Sequence, residues 1–279
     1  MTRRAAAVLL AVAVLAAGCS GPETPGPGAG TTSAAPPSAA PSSVVLPGRP
    51  PKRRPLAGKV VVLDPGHRLG NARFPDEINR PVDAGGLTKE CNTTGTATDD
   101  GYPEATFTWQ VAVEARRLLR RMGAQVVLTR PDDAADAWGP CVDERGRIGN
   151  PGRPGPDADV RVSIHGDGVR SSTAHGFHVI RPGDRAGWTD DIERPSRRLA
   201  VALRDALVRA GFTPSTYRGA GGIDVRTDLG TLNLSDVPAV MAELGNMRDA
   251  GDAAVMESAA GRLRYARAIA AAVRAYLRG

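Results

Sequence analysis

A buried β-strand is predicted by Val60-Val61-Val62-Leu63-Asp64-Pro65-Gly66-His67, where Pro-Gly cuts off a short apolar run. This places the imidazole of His67 at the carboxyl end of the strand. Two later segments repeat the arrangement. Val160-Arg161-Val162-Ser163-Ile164-His165 ends in a histidine, and Pro238-Ala239-Val240-Met241-Ala242-Glu243 ends in a glutamate. Ligands of open α/β sheets bind at the carboxyl ends of the strands, so we expect His67, His165 and Glu243 to lie in one site.

A fourth candidate, Glu104, opens a predicted helix. Pro103 suits the first helical turn, and apolar residues follow three or four positions apart, at Phe107, Val111, Ala115, Leu118 and Met122. Glu104 projects onto the middle of this apolar stripe, where a lone carboxylate is costly unless it is paired or bound to a metal. The alternative is a first-turn acid that complements the helix dipole. We favour a position beside His67, because a helix that follows the first strand tends to start near that strand's carboxyl edge.

Two imidazoles and one carboxylate, from His67, His165 and Glu104, match the ligand set of a catalytic zinc ion. Such an ion takes three protein ligands and keeps one position for water. Glu243 then has the role of general base, which accepts a proton from the water and passes it to the leaving nitrogen. No ligand pair has the spacing of the His-Glu-x-x-His motif, so the prediction depends on placement at the strand ends.

His175 and His178 form a rival pair of imidazoles. On a strand they would point to different faces, because only Gly176 and Phe177 separate them. We interpret both as surface or groove residues, with His175 at the mouth of the site.

In the rest of the chain, segments with the hydrophobic period of a strand alternate with segments that have the period of a helix. Strands are predicted over 125–129, 176–181 and 223–226, and helices over 104–122, 143–150, 197–210 and 260–277, while 68–101 form a long polar excursion without a sustained period. This order predicts an α/β fold, a three-layer sandwich with one mostly parallel or mixed central sheet flanked by helices.

The first 58 residues differ in composition from the rest. Residues 1–18 have a basic start and a short apolar stretch, as in a signal peptide. They end in Leu15-Ala16-Ala17-Gly18 before Cys19, which resembles the lipobox of bacterial lipoproteins and implies lipid attachment to Cys19; the alternative is an ordinary signal peptide with a chance cysteine. Residues 19–58 are rich in Pro, Gly and Ser and predict a disordered tether. The remaining residues, 59–279, are predicted to form one catalytic domain.

The net charge restricts the classes of partner that the protein could bind. The chain has a net charge of +6, but Arg3 and Arg4 lie in the signal segment, and residues 19–58 carry four basic groups against one acidic group. The predicted domain therefore keeps a net charge of only +1, which together with export argues against a nucleic-acid partner.

Cys91 and Cys141 are the two cysteines of the domain. Export favours a disulfide between them over two free thiols.

Several of these segments, in the same order, resemble the zinc-dependent N-acetylmuramoyl-L-alanine amidases of bacterial cell walls. They are Asp64-Pro65-Gly66-His67, the helix opened by Glu104, Val126-Val127-Leu128-Thr129-Arg130, Arg145 with Asn150, Ser163-Ile164-His165, and Pro238-Ala239-Val240 leading to Glu243-Leu244-Gly245-Asn246. The resemblance spans 59–278 and is greatest with the actinobacterial single-domain branch, including the polar excursion with its cysteine and the segment Gly139-Pro140-Cys141. The chain departs from the family at Arg68-Leu69, where Gly-Gly is common, at Gly166-Asp167, and in the wide gap between His67 and Glu104.

The resemblance implies a function and a place of action. His67, Glu104 and His165 would hold Zn²⁺, and Glu243 would act as the catalytic acid/base. The substrate bond would be the amide between the lactyl group of N-acetylmuramic acid and L-alanine of the stem peptide. We expect a monomer that acts on peptidoglycan or muropeptide fragments at the outer face of the cell membrane, anchored through Cys19. Two alternatives remain, a zinc peptidase acting within stem peptides and a catalytically silent wall-binding lipoprotein.

Overall fold

The structure is a computed structural model that describes residues 54–279. The predicted signal peptide and residues 19–53 of the predicted tether lie outside the described residues. The folded part begins before the predicted boundary at residue 59. Leu56 is fully buried in the main core, and its N–H donates to the carbonyl of Met122 at 2.9 Å. Composition does not predict this contact, because a window dominated by Pro and Gly conceals one leucine that packs against the domain.

Eight strands and seven α-helices form the described chain. The strands are β1 (Val60–Pro65), β2 (Pro81–Asp83), β3 (Thr88–Glu90), β4 (Gln125–Leu128), β5 (Val160–Asp167), β6 (His178–Pro182), β7 (Ile223–Arg226) and β8 (Ala239–Asn246). The helices are α1 (Pro75–Asn79), α2 (Glu104–Arg121), α3 (Val142–Arg147), α4 (Glu193–Arg209), α5 (Gly230–Asn233), α6 (Ala250–Glu257) and α7 (Ala259–Tyr276). Within residues 54–279, every helix is too short or too polar to cross a membrane.

Six strands form the central sheet, in the order β4-β1-β5-β8-β6-β7. The first four run parallel, whereas β6 is antiparallel to β8 and β7 follows the direction of β6. The sheet is therefore mixed, and β1, β5 and β8 are adjacent. Their carboxyl ends meet at one edge, which brings His67, His165 and Glu243 together although long stretches of sequence separate them.

Alternate residues of the sheet face two different layers of helix. One face carries Val61, Leu63, Ile164, Val240 and Ala242, which join the main core with side chains of α2, α4 and α7. The other face packs against α5, which in turn packs against α3. On that second face Ile180 and Met241 form a small core with Leu232 of α5. These layers confirm the predicted three-layer α/β sandwich.

The polar excursion over 68–101 is more ordered than its sequence pattern indicated. It contains a 3₁₀ turn at Leu69–Arg73, helix α1, and the separate antiparallel hairpin of β2 and β3. A disulfide joins Cys91 to Cys141, as predicted, and the two cysteines pack with Val82 of the hairpin. Because this segment docks beside the carboxyl edge of the sheet, it supplies one wall of the site described next.

Candidate active site

A strained turn carries His67 beyond the end of β1. The backbone of His67 has φ +55°, and it is the one non-glycine residue with positive φ in the described part of the chain. Such a conformation costs an L-residue energy and persists only where surrounding contacts hold it. Arg145 does so, because its guanidinium donates to the carbonyls of Pro65 and His67, each at 2.7 Å.

The ring of His67 lies between a carbonyl and a carboxylate. Its Nδ1 is 3.1 Å from the carbonyl oxygen of Thr93, and its Nε2 is 3.2 Å from Oε1 of Glu104. Oγ1 of Thr93 lies 3.2 Å from the same Nδ1, so the contacts of Nδ1 alone do not fix the tautomer of the ring. Burial lowers the pKa of His67, but the charge of Glu104 and the hydrogen bonds to Glu104 and to the carbonyl of Thr93 together outweigh burial and leave this pKa raised. The arrangement calls for a positive charge at this point, either a proton or a metal ion.

Glu104 lies in the same cluster rather than at a solvated helix end. It is buried, its Oε1 accepts from the backbone N–H of Gly166 at 3.1 Å and lies 3.0 Å from Nδ1 of His165, and its Oε2 accepts from the N–H of Thr96 at 3.0 Å. Burial alone would raise the pKa of Glu104, but the charges and hydrogen bonds of His67 and His165 hold it well below its usual range. Glu104 therefore lies beside His67, as predicted, and both of its carboxylate oxygens contact groups outside its own helix.

The three side chains fit a metal ion. One ligand atom each from His67, Glu104 and His165 lies within 4.8 Å of the others. Two glycines leave space for the imidazole rings to converge. A Cβ on Gly66 would fall 2.4 Å from Cε1 of His165. A Cβ on Gly95, where φ is +77°, would fall 2.9 Å from Cδ2 of His67. Two imidazole nitrogens and one carboxylate oxygen are a donor set that suits a divalent transition-metal ion.

Glu243 stands beside this cluster in the sheet. It is the register partner of His165 in the ladder of β5 and β8, and it lines a cavity of about 290 Å³ together with His67 and His165. Burial, followed by the negative charges of Glu104 and Asp167, raises the pKa of Glu243 well above its ordinary value. A carboxyl group with a raised pKa suits proton transfer near neutral pH.

A model of the N-acetylmuramoyl-L-alanine amidase family matches residues 61–275. The chain belongs to this amidase family. It is 41% identical over 224 residues to the N-acetylmuramoyl-L-alanine amidase Rv3717 of Mycobacterium tuberculosis, a match that covers 80% of this chain and 88% of that protein.

Two mycobacterial crystal structures share the fold of this amidase-family domain. The N-acetylmuramyl-L-alanine amidase Ami1 of Mycobacterium smegmatis is 41% identical with a TM-score of 0.72, over 80% of this chain and 98% of that one. Ami1 of Mycobacterium abscessus, in its apo form, is 44% identical with a TM-score of 0.72, over 79% of this chain and 99% of that one. These similarities confirm the predicted fold and the actinobacterial branch of the family.

Beneath the cluster of His67, Glu104 and His165 lies a buried ionic network that the sequence pattern did not predict. Asp64 is 1% exposed and accepts from Oγ1 of Thr129 at 2.6 Å, from Oγ of Ser163 at 2.6 Å and from Arg145 at 2.8 Å. Burial raises the pKa of Asp64, but the charge of Arg145 and these hydrogen bonds together hold it far below its usual range. Asp64 thus stabilises the guanidinium that holds the turn of His67. Arg145 and Ser163 are singled out in the sequence only by the family resemblance.

The two remaining histidines differ from each other in burial. His175 is partly exposed and precedes β6, whereas His178 is the first residue of β6 and is only 2% exposed. The interpretation of His178 as a surface or groove residue is therefore wrong. The reason is topological: β6 is an interior strand of the sheet, covered by β8 on one side and β7 on the other. Its period-2 pattern alone could not show that both neighbours were present.

Proposed function

We propose that this protein is a zinc-dependent N-acetylmuramoyl-L-alanine amidase, which hydrolyses the amide between the lactyl group of N-acetylmuramic acid and L-alanine of the stem peptide. The observation that carries the proposal is the set of His67, Glu104 and His165, three converging ligands, beside Glu243 in one cavity. Relatives named as amidases of this bond, at 41% identity over most of the chain, support the choice of substrate.

Each residue has a defined part in this hydrolysis. Zinc held by His67, Glu104 and His165 would supply Lewis-acid chemistry, polarising the amide carbonyl and activating a water molecule. Glu243 takes one proton from the attacking water as the new C–O bond forms at the lactyl carbonyl carbon. It then gives that proton to the alanine nitrogen as the C–N bond breaks, which leaves a free α-amine and a lactyl carboxylic acid that keeps the second proton of the water until it ionises to the carboxylate. Its raised pKa suits both steps, because the group must first accept a proton and then release it.

The surroundings of the protein follow from the substrate and from the leader sequence. Peptidoglycan lies outside the cell membrane, so the enzyme is an exported protein of the cell envelope. The segment that ends in Cys19 supports anchoring to the outer face of the membrane through lipid on this cysteine, and we propose that the enzyme acts there as a monomer.

Product analysis distinguishes this proposal from its alternatives. The purified protein is incubated with muropeptides that carry an intact stem peptide, and the products are identified by mass spectrometry. An amidase releases the whole stem peptide with a free L-alanine amine and leaves a glycan with a free lactyl carboxylate. Fragments of the stem peptide would instead show a peptidase. Binding to the wall without any product would show a silent wall-binding protein. Glu243→Gln serves as the matched inactive control, and chelation followed by zinc addition tests the metal.

A further inference from the structure

Three polar side chains form a row across neighbouring strands at the active edge of the sheet. Glu243 of β8 is the register partner of His165 on one side and of His178 on the other. Residues paired in this way lie on the same face of a sheet with Cβ atoms about 4.5 to 5.5 Å apart. His178 is therefore the nearest neighbour of Glu243 on the side opposite to the metal-ligand cluster.

Both members of the outer pair have an unsatisfied polar atom. Within residues 54–279, Oε2 of Glu243 and Nδ1 of His178 are fully buried and have no hydrogen-bond partner. A buried polar atom without a partner costs about 1 to 3 kcal/mol. The two atoms are not hydrogen-bonded to each other in this structure, but a rotation of either side chain would pair them and remove both costs. A carboxylate oxygen accepts and an imidazole N–H donates, so the two atoms are chemically matched.

The surroundings of His178 hold its ring without supplying that partner. The ring meets Tyr217 edge to face at 6.0 Å between centroids, and the hydroxyl of Tyr217 donates to Asp167 at 3.0 Å. Burial lowers the pKa of His178, so the ring is neutral and has one N–H to donate. A neutral N–H donor can orient the carboxylate of Glu243. Because it carries no positive charge, it lowers the basicity of that carboxylate less than an imidazolium would.

We propose that His178 is a positioning residue for Glu243, whose inner oxygen Oε2 accepts an imidazole N–H and whose other oxygen is thereby directed toward the substrate. The inference rests on the proposed role of Glu243 as the catalytic acid/base. His178 itself touches neither the metal ligands nor the scissile amide, and it acts through the orientation of one carboxylate. The cluster of His67, Glu104 and His165 is independent of it.

Two substitutions separate the hydrogen bond from the volume of the ring. His178→Phe fills the space without a donor, whereas His178→Asn keeps an N–H close to the position of Nδ1. We expect His178→Phe to lower kcat by about 10- to 100-fold with an unchanged KM and full zinc content, and His178→Asn to retain most of the activity. Ile180→Val, two residues along the same face of β6, is the control for simple loosening of the strand, and it should shift the melting temperature without lowering kcat.

A double-mutant cycle with Glu243→Ala then tests whether His178 acts through Glu243. If it does, His178→Phe has no further effect on residual kcat in the Glu243→Ala protein, and the melting-temperature shifts of the two changes are non-additive by about 2 to 4 °C. Loss of zinc in His178→Phe, equal losses of kcat in both backgrounds, or strictly additive melting shifts would each overturn the inference. A parent protein without amidase activity would overturn the proposed function alone, because the melting cycle still decides whether the pair exists.

Discussion

The position of His67 depends on a buried carboxylate that does not touch it. Asp64 holds Arg145, and Arg145 holds the carbonyl of the left-handed residue that presents the imidazole. A metal ligand placed on a strained turn is useful only if the turn is rigid, because ligand atoms must lie within a few tenths of an ångström of their ideal positions. The network therefore keeps the turn of His67 rigid, so that its imidazole stays in a fixed position at the site.

The first residue-scale prediction separates ligands from the catalytic base. His165→Ala should lose both bound zinc and amidase activity, because it removes one of three ligands, whereas Glu243→Gln should keep zinc and lose about 10² to 10⁴ in rate. Metal analysis of the two purified variants, beside the parent, checks this. Equal zinc loss in both variants would mean that Glu243 belongs to the metal site.

The second prediction concerns the contribution of Asp64 to the free energy of unfolding and its dependence on pH. Asp64→Asn leaves the guanidinium of Arg145 buried without a counter-charge, so we expect the free energy of unfolding to fall by about 3 to 5 kcal/mol at neutral pH. The folded-state pKa of Asp64 is lowered, so its contribution is present above the unfolded pKa of about 4 and is lost as pH falls further.

Denaturant unfolding of metal-free parent and variant from pH 7 to pH 3 checks the Asp64 prediction. The difference between the two proteins should be constant above about pH 5 and should shrink below about pH 4. A difference that grows as the solution becomes acidic would contradict the assignment of Asp64 as the ionised partner.

At the residue scale, strand-end reasoning identified the members of the site but not their support. His67, His165 and Glu243 were predictable because each follows an apolar run, and Glu104 because it interrupts an apolar stripe. The partners of Asp64 were not predictable, since Arg145 and Ser163 lie 81 and 99 residues away in sequence. His178 was misjudged for a related reason, because the burial of a strand residue depends on which strands pair beside it.

At the scale of elements, the predicted helices and strands of the sheet layers agree closely with the structure. The predicted helix over 104–122 is Glu104–Arg121, and the predicted strand over 223–226 is Ile223–Arg226. Hydrophobic periodicity identifies elements that bury a face against the sheet. The hairpin of β2 and β3 was missed because its strands are three residues long and mostly exposed, so they show no period. A disulfide, rather than a large core, ties that segment to the domain.

The element-scale prediction concerns this disulfide. Cys91 and Cys141 close a loop with a sequence separation of 50, and the chain-entropy model assigns such a link about 4 kcal/mol. Reduction should therefore lower the melting temperature while zinc content is retained, because none of the three metal ligands lies in the small core around the cysteines.

Thermal melts with and without reductant, with metal analysis of the same samples, check the disulfide prediction. The double variant Cys91→Ser and Cys141→Ser is the matched control, and reductant should have no effect on it. Two reactive thiols in denatured, unreduced protein would refute the pairing.

At the scale of the whole molecule, the expected anchor sets where the enzyme can act. A flexible tether of the predicted length, roughly forty residues, would have an average end-to-end distance of roughly 35 Å. An enzyme held in this way would reach wall material near the membrane. We expect Cys19→Ala to release the protein into the soluble fraction, with the activity of the purified enzyme unchanged. Fractionation followed by immunoblotting checks this, with a Ser20→Ala variant as control. Equal membrane association of the parent and Cys19→Ala would refute lipid attachment.

The last strand of the sheet in sequence, β8, lies in its interior, between β5 and β6. Until residues 239–246 have been synthesised, the earlier strands can form only two separate ribbons, β4-β1-β5 and β6-β7, each with an open edge facing the gap. The same late segment delivers Glu243. A chain that stops before residue 239 therefore lacks both a continuous sheet and Glu243, so the sheet is joined by the same segment that completes the residues of the site.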